Sequence, residues 1–397
     1  MEVRKTQREK EENEIRTNGM KILFISHEAS RTGAPIMLLN MLKWLKENTK
    51  IQFDILLLEG GPLENEFEKI ADVYKQFNLF KPISLKKQLI LKILHGKKFN
   101  TKKYQVNNFY NKIRKSNYSI IYGNTTTSLS IFEDLRKRIP NLKFVVHVHE
   151  LFSQTKSDEK LISKAYFSKA QFIAASGLVK NNLEKNHFIN TNIRIIYSFV
   201  NTANIKSLTV RDRKSESEQF IINGCGTASI CKGYDIFILV AKRALQKYEH
   251  IPFLFKWIGS IPSDIKPFIE IDIKNAGLTN HIEFTDELVN PYTEFIKADL
   301  FLLTSREDSF PLVCLEHAYL RIPIICFENV SGITEFVRND SGVVVPFLDI
   351  EATVDAIEEH YSNPTKRLQL GNNAHVNALK YDINIQMPKF LTLMENL

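Results

Sequence analysis

The 397-residue sequence lacks any apolar run near the roughly 18 residues that a membrane-spanning helix needs. The first 19 residues are charged throughout and have no apolar core, which argues against a secretory signal. We predict a disordered or loosely helical extension over residues 1–19. Met20, directly before the first predicted strand, is an alternative start. These absences favour a soluble protein of the cytoplasm.

Motifs of several common enzyme classes are also missing. No GxGxxG follows the first strand and no P-loop motif occurs, which argues against nicotinamide, flavin and P-loop nucleotide sites. HExxH, GxSxG and a strand-end Asp-x-Asp are absent, and none of the four cysteines forms a Cys-x-x-Cys pair. We therefore expect no metal ion and no organic cofactor.

Acidic residues are absent from one long stretch, although the chain as a whole carries a net charge of only +8. Residues 81–115 contain eleven Lys or Arg and no Asp or Glu, and residues 84–98 mix lysines with large apolar side chains. This imperfectly amphipathic segment predicts contact with an anionic membrane surface. The alternative is a helix that packs on its own domain with solvated lysines. Because no nucleic-acid-binding motif accompanies the charge, we expect no nucleic-acid partner.

Short apolar strands alternate with helical segments from Met20 onward, which predicts an α/β fold of two doubly wound, Rossmann-like domains. The predicted strands are 21–26, 51–57, 119–122, 144–147, 172–175, 193–196, 220–225, 253–258, 282–284, 299–304, 322–326 and 342–345. We expect an N-terminal domain over 20–200, a linker over 201–218, a C-terminal domain over 219–380, and a final helix over 381–397 that returns to the first domain. Because ligands bind at the carboxyl ends of such strands, the cleft between the domains is the expected site.

The most informative motif is SREDSFPLVCLEHAYLRIPIICF, residues 305–327, which follows a predicted strand. Asp308 or Ser309 is expected to cap a helix whose free N–H groups suit a phosphate. Glu316 lies roughly 10 Å further along, at 1.5 Å per residue. This spacing suits a ligand with a phosphate at one end and hydroxyl groups at the other. The alternative is that both acids serve only the helix itself.

Two further strand-to-helix turns are candidates for anion binding. Gly33 and Ala34 begin the first helix, where glycine permits close approach of a ligand. Lys232 stands directly before a helix that begins near Gly233, a position where a cation is unfavourable unless an anion lies between them. An ordinary connection and a solvated lysine are the structural alternatives.

A predicted strand over residues 144–147 ends at His147, and His149 follows two residues later, so the two side chains point to one face. Metal binding is one interpretation, but no third ligand is evident. A satisfied core histidine is the structural alternative.

Taken together, these motifs resemble family 4 (group 1) glycosyltransferases, which are retaining enzymes of the GT-B superfamily. Their mark is a pair of acids eight residues apart, matched by Asp308 and Glu316, with Asp where Glu is commoner. The resemblance implies that Asp308 contacts the donor sugar and Glu316 the nucleotide ribose. It implies that the Ser309 and Phe310 amides hold the diphosphate, and that Lys232 neutralises the leaving phosphate.

The resemblance also assigns roles outside this motif. It places His149 near the donor sugar and, together with Lys232 and Asp308, among the catalytic residues. Further assignments are Gly33 and Ala34 over the donor, Gly332 and Glu335 in a loop near the donor, and Asn124 and Thr125 on the acceptor side.

One position departs from the family pattern. Thr227 stands where the family usually has an arginine, five residues before Lys232. Arg31 or Arg306 is a hypothetical substitute, because each is close in sequence to another motif. The departure keeps open a nucleotide-sugar-binding protein with impaired catalysis. Another GT-B enzyme, such as a nucleotide-sugar epimerase, is the other alternative.

The sequence thus predicts a retaining hexosyltransferase that moves a sugar from a nucleotide-sugar donor to a glycan or lipid-linked acceptor. Assembly of an envelope polysaccharide or glycoconjugate is the expected setting. The expected location is the cytoplasm, with peripheral attachment to the inner face of the membrane.

Overall fold

A computed structural model describes residues 19–80, 93, 100–139, 142–187, 189, 193–208 and 219–397. The predicted extension, apart from residue 19, lies outside the described residues, as do 209–218 of the predicted linker. Most of the basic, apolar-rich segment 84–98 also lies outside them. Over the described ranges, the helices are too short or too polar to cross a bilayer.

The chain divides into two compact units. Unit 1 comprises residues 1–174, 182–195 and 387–397, and unit 2 comprises residues 175–181 and 196–386. Each unit is built around one parallel β-sheet, which agrees with the predicted fold class.

Unit 1 contains a seven-stranded parallel sheet in the order β3-β2-β1-β4-β5-β6-β7. Its strands are β1 (Lys21–Ser26), β2 (Gln52–Leu57), β3 (Val73–Lys75), β4 (Ile120–Gly123), β5 (Lys143–Val148), β6 (Gln171–Ala174) and β7 (Arg194–Ile195). β1 forms because a continuous apolar run is buried on both faces of a parallel sheet. β3 was not predicted, since its three half-buried residues form no apolar run.

Unit 2 contains a six-stranded parallel sheet in the order β10-β9-β8-β11-β12-β13. Its strands are β8 (Phe220–Cys225), β9 (Phe253–Ile258), β10 (Ile282–Thr285), β11 (Leu300–Leu303), β12 (Ile324–Phe327) and β13 (Gly342–Val345). β8 and β11 are hydrogen-bonded neighbours in the sheet. The loops that follow these two strands therefore leave the sheet side by side at its carboxyl edge.

The helices connect and follow these strands. They are α1 (Gly33–Asn48), α2 (Glu64–Glu68), α3 (Thr101–Lys115), α4 (Phe132–Arg138), α5 (Phe152–Ser157), α6 (Glu159–Phe167), α7 (Gly177–Asn186), α8 (Thr202–Leu208), α9 (Tyr234–Lys247), α10 (Lys266–Ala276), α11 (Tyr292–Phe295), α12 (Leu312–Tyr319), α13 (Thr334–Val337), α14 (Ile350–Ser362), α15 (Pro364–Ala378) and α16 (Ile383–Glu395).

The residues of α16 from position 387 onward belong to unit 1. Phe390 is buried, and its ring lies edge-on to Tyr122 of β4 at 5.7 Å. An apolar face with Met387 and Leu391 buried accounts for this packing.

Candidate functional site

A lysine and an aspartate from the two neighbouring loops of unit 2 form an ion pair. Lys232 Nζ, from the loop after β8, lies 2.5 Å from Asp308 Oδ2, from the loop after β11. The Lys232 side chain is 34% exposed and that of Asp308 is 9% exposed. Burial disfavours the charge on Lys232, but the Asp308 carboxylate outweighs it and raises the lysine's pKa above its usual value.

Gly233 allows this lysine to approach the second loop. Its φ is +74°, a left-handed conformation, and a Cβ atom there would lie 2.0 Å from the Thr304 carbonyl oxygen. Thr304 Oγ1 donates to the Lys232 carbonyl oxygen at 3.3 Å. The Lys-Gly pair therefore combines a cation with the one residue type that permits the close packing beneath it.

Arg306 fastens the same two loops together. Its guanidinium donates to both carboxylate oxygens of Asp235, at 2.9 and 2.7 Å, and to the Ile230 carbonyl oxygen at 2.6 Å. Its backbone amide donates to the Cys231 carbonyl oxygen at 2.8 Å. The hypothesis that Arg306 replaces the missing phosphate cation stays a prediction; in this structure its guanidinium is paired with Asp235. The other proposed substitute, Arg31, forms an ion pair with Glu66 in unit 1.

The helix of the acidic motif begins later than predicted. Pro311 is the N-cap of α12, and among the described residues no side chain caps this helix. Asp308 is not the cap because its carboxylate binds Lys232 and its backbone pairs with Ser331. In the part of the chain that the structure describes, the amides of Ser309 and Phe310 have no protein acceptor. These two donors remain available to an anion.

Glu316 lies on α12 with a carboxylate that is only partly solvated. Burial raises its pKa to about 7, and a hydrogen bond from Tyr292 opposes this rise. Tyr292 Oη donates to Glu316 Oε1 at 3.0 Å. Glu316 therefore changes charge near neutral pH.

The loop containing Gly332 supports the acidic motif from the side. The Gly332 amide donates to the carbonyl oxygens of Asp308 and Ser309, at 3.2 and 3.1 Å. A Cβ atom at this position would lie 2.1 Å from the Ser309 carbonyl oxygen. In this conformation Gly332 contacts the predicted diphosphate-binding backbone and fixes its course.

Glu335 has a structural role that the sequence did not indicate. Its carboxylate accepts hydrogen bonds from the amides of Gly177 and Leu178, at 3.3 and 2.9 Å, and from Tyr197 Oη at 2.9 Å. It thus satisfies the first amides of α7, where a negative charge also complements the helix dipole.

In unit 1, His149 follows β5 with its Nε2 atom buried and without a partner among the described residues. Burial holds its pKa well below the usual value, so the imidazole is neutral. Its ring lies 4.0 Å from that of His147, whose Nδ1 atom is 2.6 Å from Tyr122 Oη. Over the described ranges, no group of three His, Cys, Asp or Glu side chains is arranged to hold a metal ion.

Glu150, the neighbour of His149, was not among the predicted site residues. Its carboxylate accepts from the amides of His149 and Thr126, at 3.0 and 3.3 Å. Burial raises its pKa to about 8, although these amides oppose the rise. Glu150 therefore ties the end of β5 to the turn after β4. In the sequence, the position of Glu150 directly after His149 was the feature that could have indicated this role.

The remaining predicted residues of unit 1 form one connected group. Asn124 Nδ2 donates to the Ala34 carbonyl oxygen at 2.9 Å, and Asn124 Oδ1 is buried without a partner among the described residues. Thr125 is buried, and its Oγ1 atom lies 3.2 Å from His27 Nδ1. Gly33 is exposed and does not adopt a positive φ, and no atom of the described residues would lie within 4 Å of a Cβ atom at this position. It leaves open space at the start of α1.

Residues 208–376 match the sequence model of the family described as "Glycosyl transferases group 1". The resemblance to the group 1 glycosyltransferases is confirmed. This group 1 segment contains Lys232, Asp308, Glu316 and the loops that carry them. The sites described in unit 1 lie outside it.

The curated relatives of this chain are distant. "Alpha-D-kanosaminyltransferase" of Streptomyces kanamyceticus is 24% identical over 182 residues, 44% of this chain and 45% of that protein. An "Uncharacterized 41.2 kDa protein in cps region" of Klebsiella pneumoniae is 24% identical over 254 residues, 62% of this chain and 63% of that protein. The chain spans between 14% and 63% of the length of the curated relatives it matches.

Among solved structures, HepE of Anabaena in complex with UDP and glucose is similar to this chain. The TM-score is 0.75 at 17% identity, and the match covers 95% of this chain and 100% of HepE. This likeness establishes the fold, which is GT-B as the sequence predicted.

Proposed function

We propose that this chain is a glycosyltransferase that moves a hexose from a nucleotide sugar to a glycan or lipid-linked acceptor, with retention of configuration. Unit 2 would bind the donor. The observation that carries the proposal is the Lys232–Asp308 pair beside two amides that have no acceptor among the described residues, with Glu316 further along α12. The group 1 match over this segment supports it.

Each part of this arrangement suits one part of a nucleotide sugar. A diphosphate accepts hydrogen bonds, and the Ser309 and Phe310 amides can donate them. Because these amides are neutral, binding removes no charged protein group from water at this point. Lys232 adds a full positive charge where the leaving diphosphate gains negative charge. Glu316, when ionised, accepts from the ribose hydroxyl groups, and Asp308 accepts from hydroxyl groups of the sugar.

The proposed transfer is a front-face displacement. The bond between the sugar's anomeric carbon and the diphosphate oxygen breaks, and a bond to the acceptor oxygen forms on the same face. The acceptor's hydroxyl proton passes to the departing phosphate oxygen, so no dedicated carboxylate base is needed. Lys232 and the two amides would stabilise the transition state because they are already oriented toward the developing charge.

This proposal assigns no metal ion or organic cofactor. Lys232 and the unpaired amides would supply the stabilisation that a metal ion supplies in other transferases. In unit 1, neutral His149 suits hydrogen bonding to a sugar hydroxyl. We retain Gly33 and Ala34 as donor contacts, and Asn124 and Thr125 as acceptor-side residues.

The names of the relatives motivate the choice of substrates for testing. The solved HepE structures contain UDP, UDP-glucose or UDP with glucose. One relative is encoded in a cps region, and another is named as a lipopolysaccharide core mannosyltransferase of Rhizobium leguminosarum. We therefore propose a role in polysaccharide or glycoconjugate assembly, with UDP-sugars as the first donors to test.

We also propose that the protein acts in the cytoplasm and touches the inner face of the membrane. The supporting observation is the basic segment 81–115, which includes exposed lysines along α3. Co-sedimentation with vesicles tests this proposal. Binding to anionic vesicles but not to neutral ones, and weakened by salt, is expected. Failure to sediment with anionic vesicles would contradict membrane attachment, and equal binding to both vesicle types would contradict its dependence on the basic segment.

The test of activity is a two-stage screen. Thermal-shift measurements with UDP, GDP, ADP and their sugar conjugates identify the nucleotide, since a ligand at one hundred times its Kd adds about 2.7 kcal/mol. The selected nucleotide sugar is then incubated with candidate glycan acceptors, and the anomeric configuration of the product is read by NMR. A retained configuration supports the proposal. An inverted product contradicts the mechanism.

Thr227 favours a second candidate, a nucleotide-sugar-binding protein with impaired catalysis. It is exposed in the loop after β8, where the family pattern has an arginine. Saturable binding of a nucleotide sugar without turnover toward any acceptor would favour this candidate. Release of a free nucleotide sugar with a new configuration would indicate an epimerase.

A further inference from the structure

Glu316 has one carboxylate oxygen engaged and one available. Oε1 accepts from Tyr292 Oη at 3.0 Å. Oε2 has no protein partner within the described ranges. Tyr292 precedes Glu316 by 24 residues and lies outside the acidic motif. The sequence therefore gave no reason to connect the two.

Tyr292 is itself held in place by the chain around it. Its backbone amide donates a hydrogen bond to Asn290 Oδ1 at 3.2 Å. Its ring lies edge-on to Phe295 at 5.9 Å. Phe295 is buried and packs at 4.1 Å against His317, the residue next to Glu316. The tyrosine thus reaches Glu316 from an element packed against the same helix.

A phenolic hydroxyl directed at one carboxylate oxygen restricts rotation of the carboxylate. It also favours the ionised form of a carboxyl group that burial otherwise drives toward neutrality. Ribose hydroxyl groups donate hydrogen bonds, so they bind an ionised carboxylate more strongly than a protonated one. Both effects would favour nucleotide binding.

Among the described residues, the titratable groups that interact with the Glu316 carboxylate are Tyr292 and Cys225. Tyr292 contacts it from α11, and burial raises the pKa of that tyrosine. Cys225, at the end of β8, has a thiol pKa raised first by burial and then by the charge of Glu316. Lys232 also acts on Cys225, and Lys232 is paired with Asp308.

We propose that Tyr292 is a positioning residue for the nucleotide: its hydroxyl orients Glu316 and leaves the second carboxylate oxygen to the ribose. This inference rests on the proposed donor site in unit 2. It assigns no chemical step to the tyrosine. Its effect is on donor affinity, on the pH dependence of that affinity, and on KM more than on kcat.

The test uses Tyr292→Phe, which removes only the hydroxyl group. Affinity for the selected nucleoside diphosphate is measured by calorimetry from pH 5.5 to 8.5. We expect about tenfold weaker binding at pH 7, as for loss of a charge-assisted hydrogen bond. Because the tyrosine favours ionised Glu316, the pH midpoint of binding should move upward in the variant. The loss should therefore be larger at pH 6 than at pH 8.5.

Tyr248→Phe is the matched control. Tyr248 directly follows α9, and its Oη also donates to a carboxylate, Asp355 Oδ1 of α14, at 2.9 Å, but this pair is exposed. This variant should bind like the wild type at every pH. In a Glu316→Gln background, adding Tyr292→Phe should cause little further loss, because the carboxylate that it orients is gone.

The outcomes separate the two claims. Wild-type protein that binds no nucleotide at millimolar concentration contradicts the proposed function itself. Wild-type protein that binds, with Tyr292→Phe equal to it in affinity and pH midpoint, overturns the role of Tyr292 alone. An equal affinity loss at every pH, additive with Glu316→Gln, would also overturn it.

Discussion

Lys232 Nζ lies 2.5 Å from Asp308 Oδ2, which joins two charges that are 76 residues apart in the chain. The pair sits between two loops that leave adjacent strands of the same sheet. Because Lys232 remains 34% exposed, its ammonium group can also meet an incoming anion. The pair therefore explains how a cation is held at the start of α9 without an anion from outside the chain.

Thr227→Arg is predicted to strengthen binding of the nucleoside diphosphate. Thr227 is exposed beside Gly226, whose built Cβ lies 3.5 Å from the Lys232 side chain. A guanidinium there adds a second cation near the phosphates, and we expect about a tenfold gain in affinity. Calorimetry measures the gain.

Thr279→Arg is the control for this gain. Thr279 is exposed after α10, before the amino end of β10 and at the opposite edge of the sheet. It adds the same charge far from the loops. Equal gains in both variants would show a general charge effect and contradict a local phosphate site.

Gly233→Ala is predicted to destabilise the fold more than Gly277→Ala. Both glycines have a left-handed φ, +74° and +73°. A Cβ at Gly233 would meet the Thr304 carbonyl oxygen at 2.0 Å, whereas among the described residues no atom would lie within 4 Å of a Cβ at Gly277. We expect losses of about 3 kcal/mol and about 1 kcal/mol in the free energy of unfolding. Urea denaturation measures both, and equal losses would contradict the close contact.

Glu316→Gln is predicted to change how stability depends on pH. Burial raises the pKa of Glu316 from 4.5 to about 7, so the native state holds this proton more tightly than the unfolded chain. The contribution of Glu316 to stability is full below about pH 4.5 and is lost as pH rises toward 7. As pH rises from 4.5 to 8, the free energy of unfolding of the variant should therefore increase relative to that of the wild type by about 1–2 kcal/mol, a figure reduced for partial solvation.

Glu351→Gln provides the contrast. Glu351 is an exposed residue paired with Arg243 and Lys247, whose hydrogen bonds lower its pKa to about 2. Its contribution is present above the unfolded pKa and is lost only as pH falls toward 2. The difference in the free energy of unfolding between Glu351→Gln and the wild type should therefore stay constant from pH 5 to 8. A flat difference for Glu316→Gln as well would contradict the burial of that carboxylate.

The sequence was sufficient for the fold because most strands of both sheets are continuous apolar runs. β1, β8, β9 and β13 have the predicted bounds, since each apolar run ends at polar or turn residues. β3 was not predicted because its own three residues do not indicate a strand. Its extended conformation depends on the backbone pairing with β2. Local pattern decides a buried strand, whereas tertiary pairing decides a short edge strand.

The site was predictable only in its local parts. Asp308 and Glu316 are recognised from their spacing along one segment. The partners of Arg306 and Glu316 are not, because Asp235 and Tyr292 reach them from separate elements of unit 2. Asp308 was expected to cap a helix. It binds Lys232 instead, because the loops that carry the two residues meet at the sheet edge.

The central claim is that Lys232 and the neighbouring backbone of unit 2 bind the diphosphate of a nucleotide sugar. Calorimetric titration of wild type, Lys232→Ala and Lys274→Ala with UDP, GDP and ADP tests it most directly. Lys274 is an exposed lysine in the last turn of α10 and serves as the control. We expect one nucleotide to bind the wild type and Lys274→Ala alike, and Lys232→Ala at least about tenfold more weakly. Absence of binding to the wild type at millimolar nucleotide, or unchanged binding by Lys232→Ala, would contradict the claim.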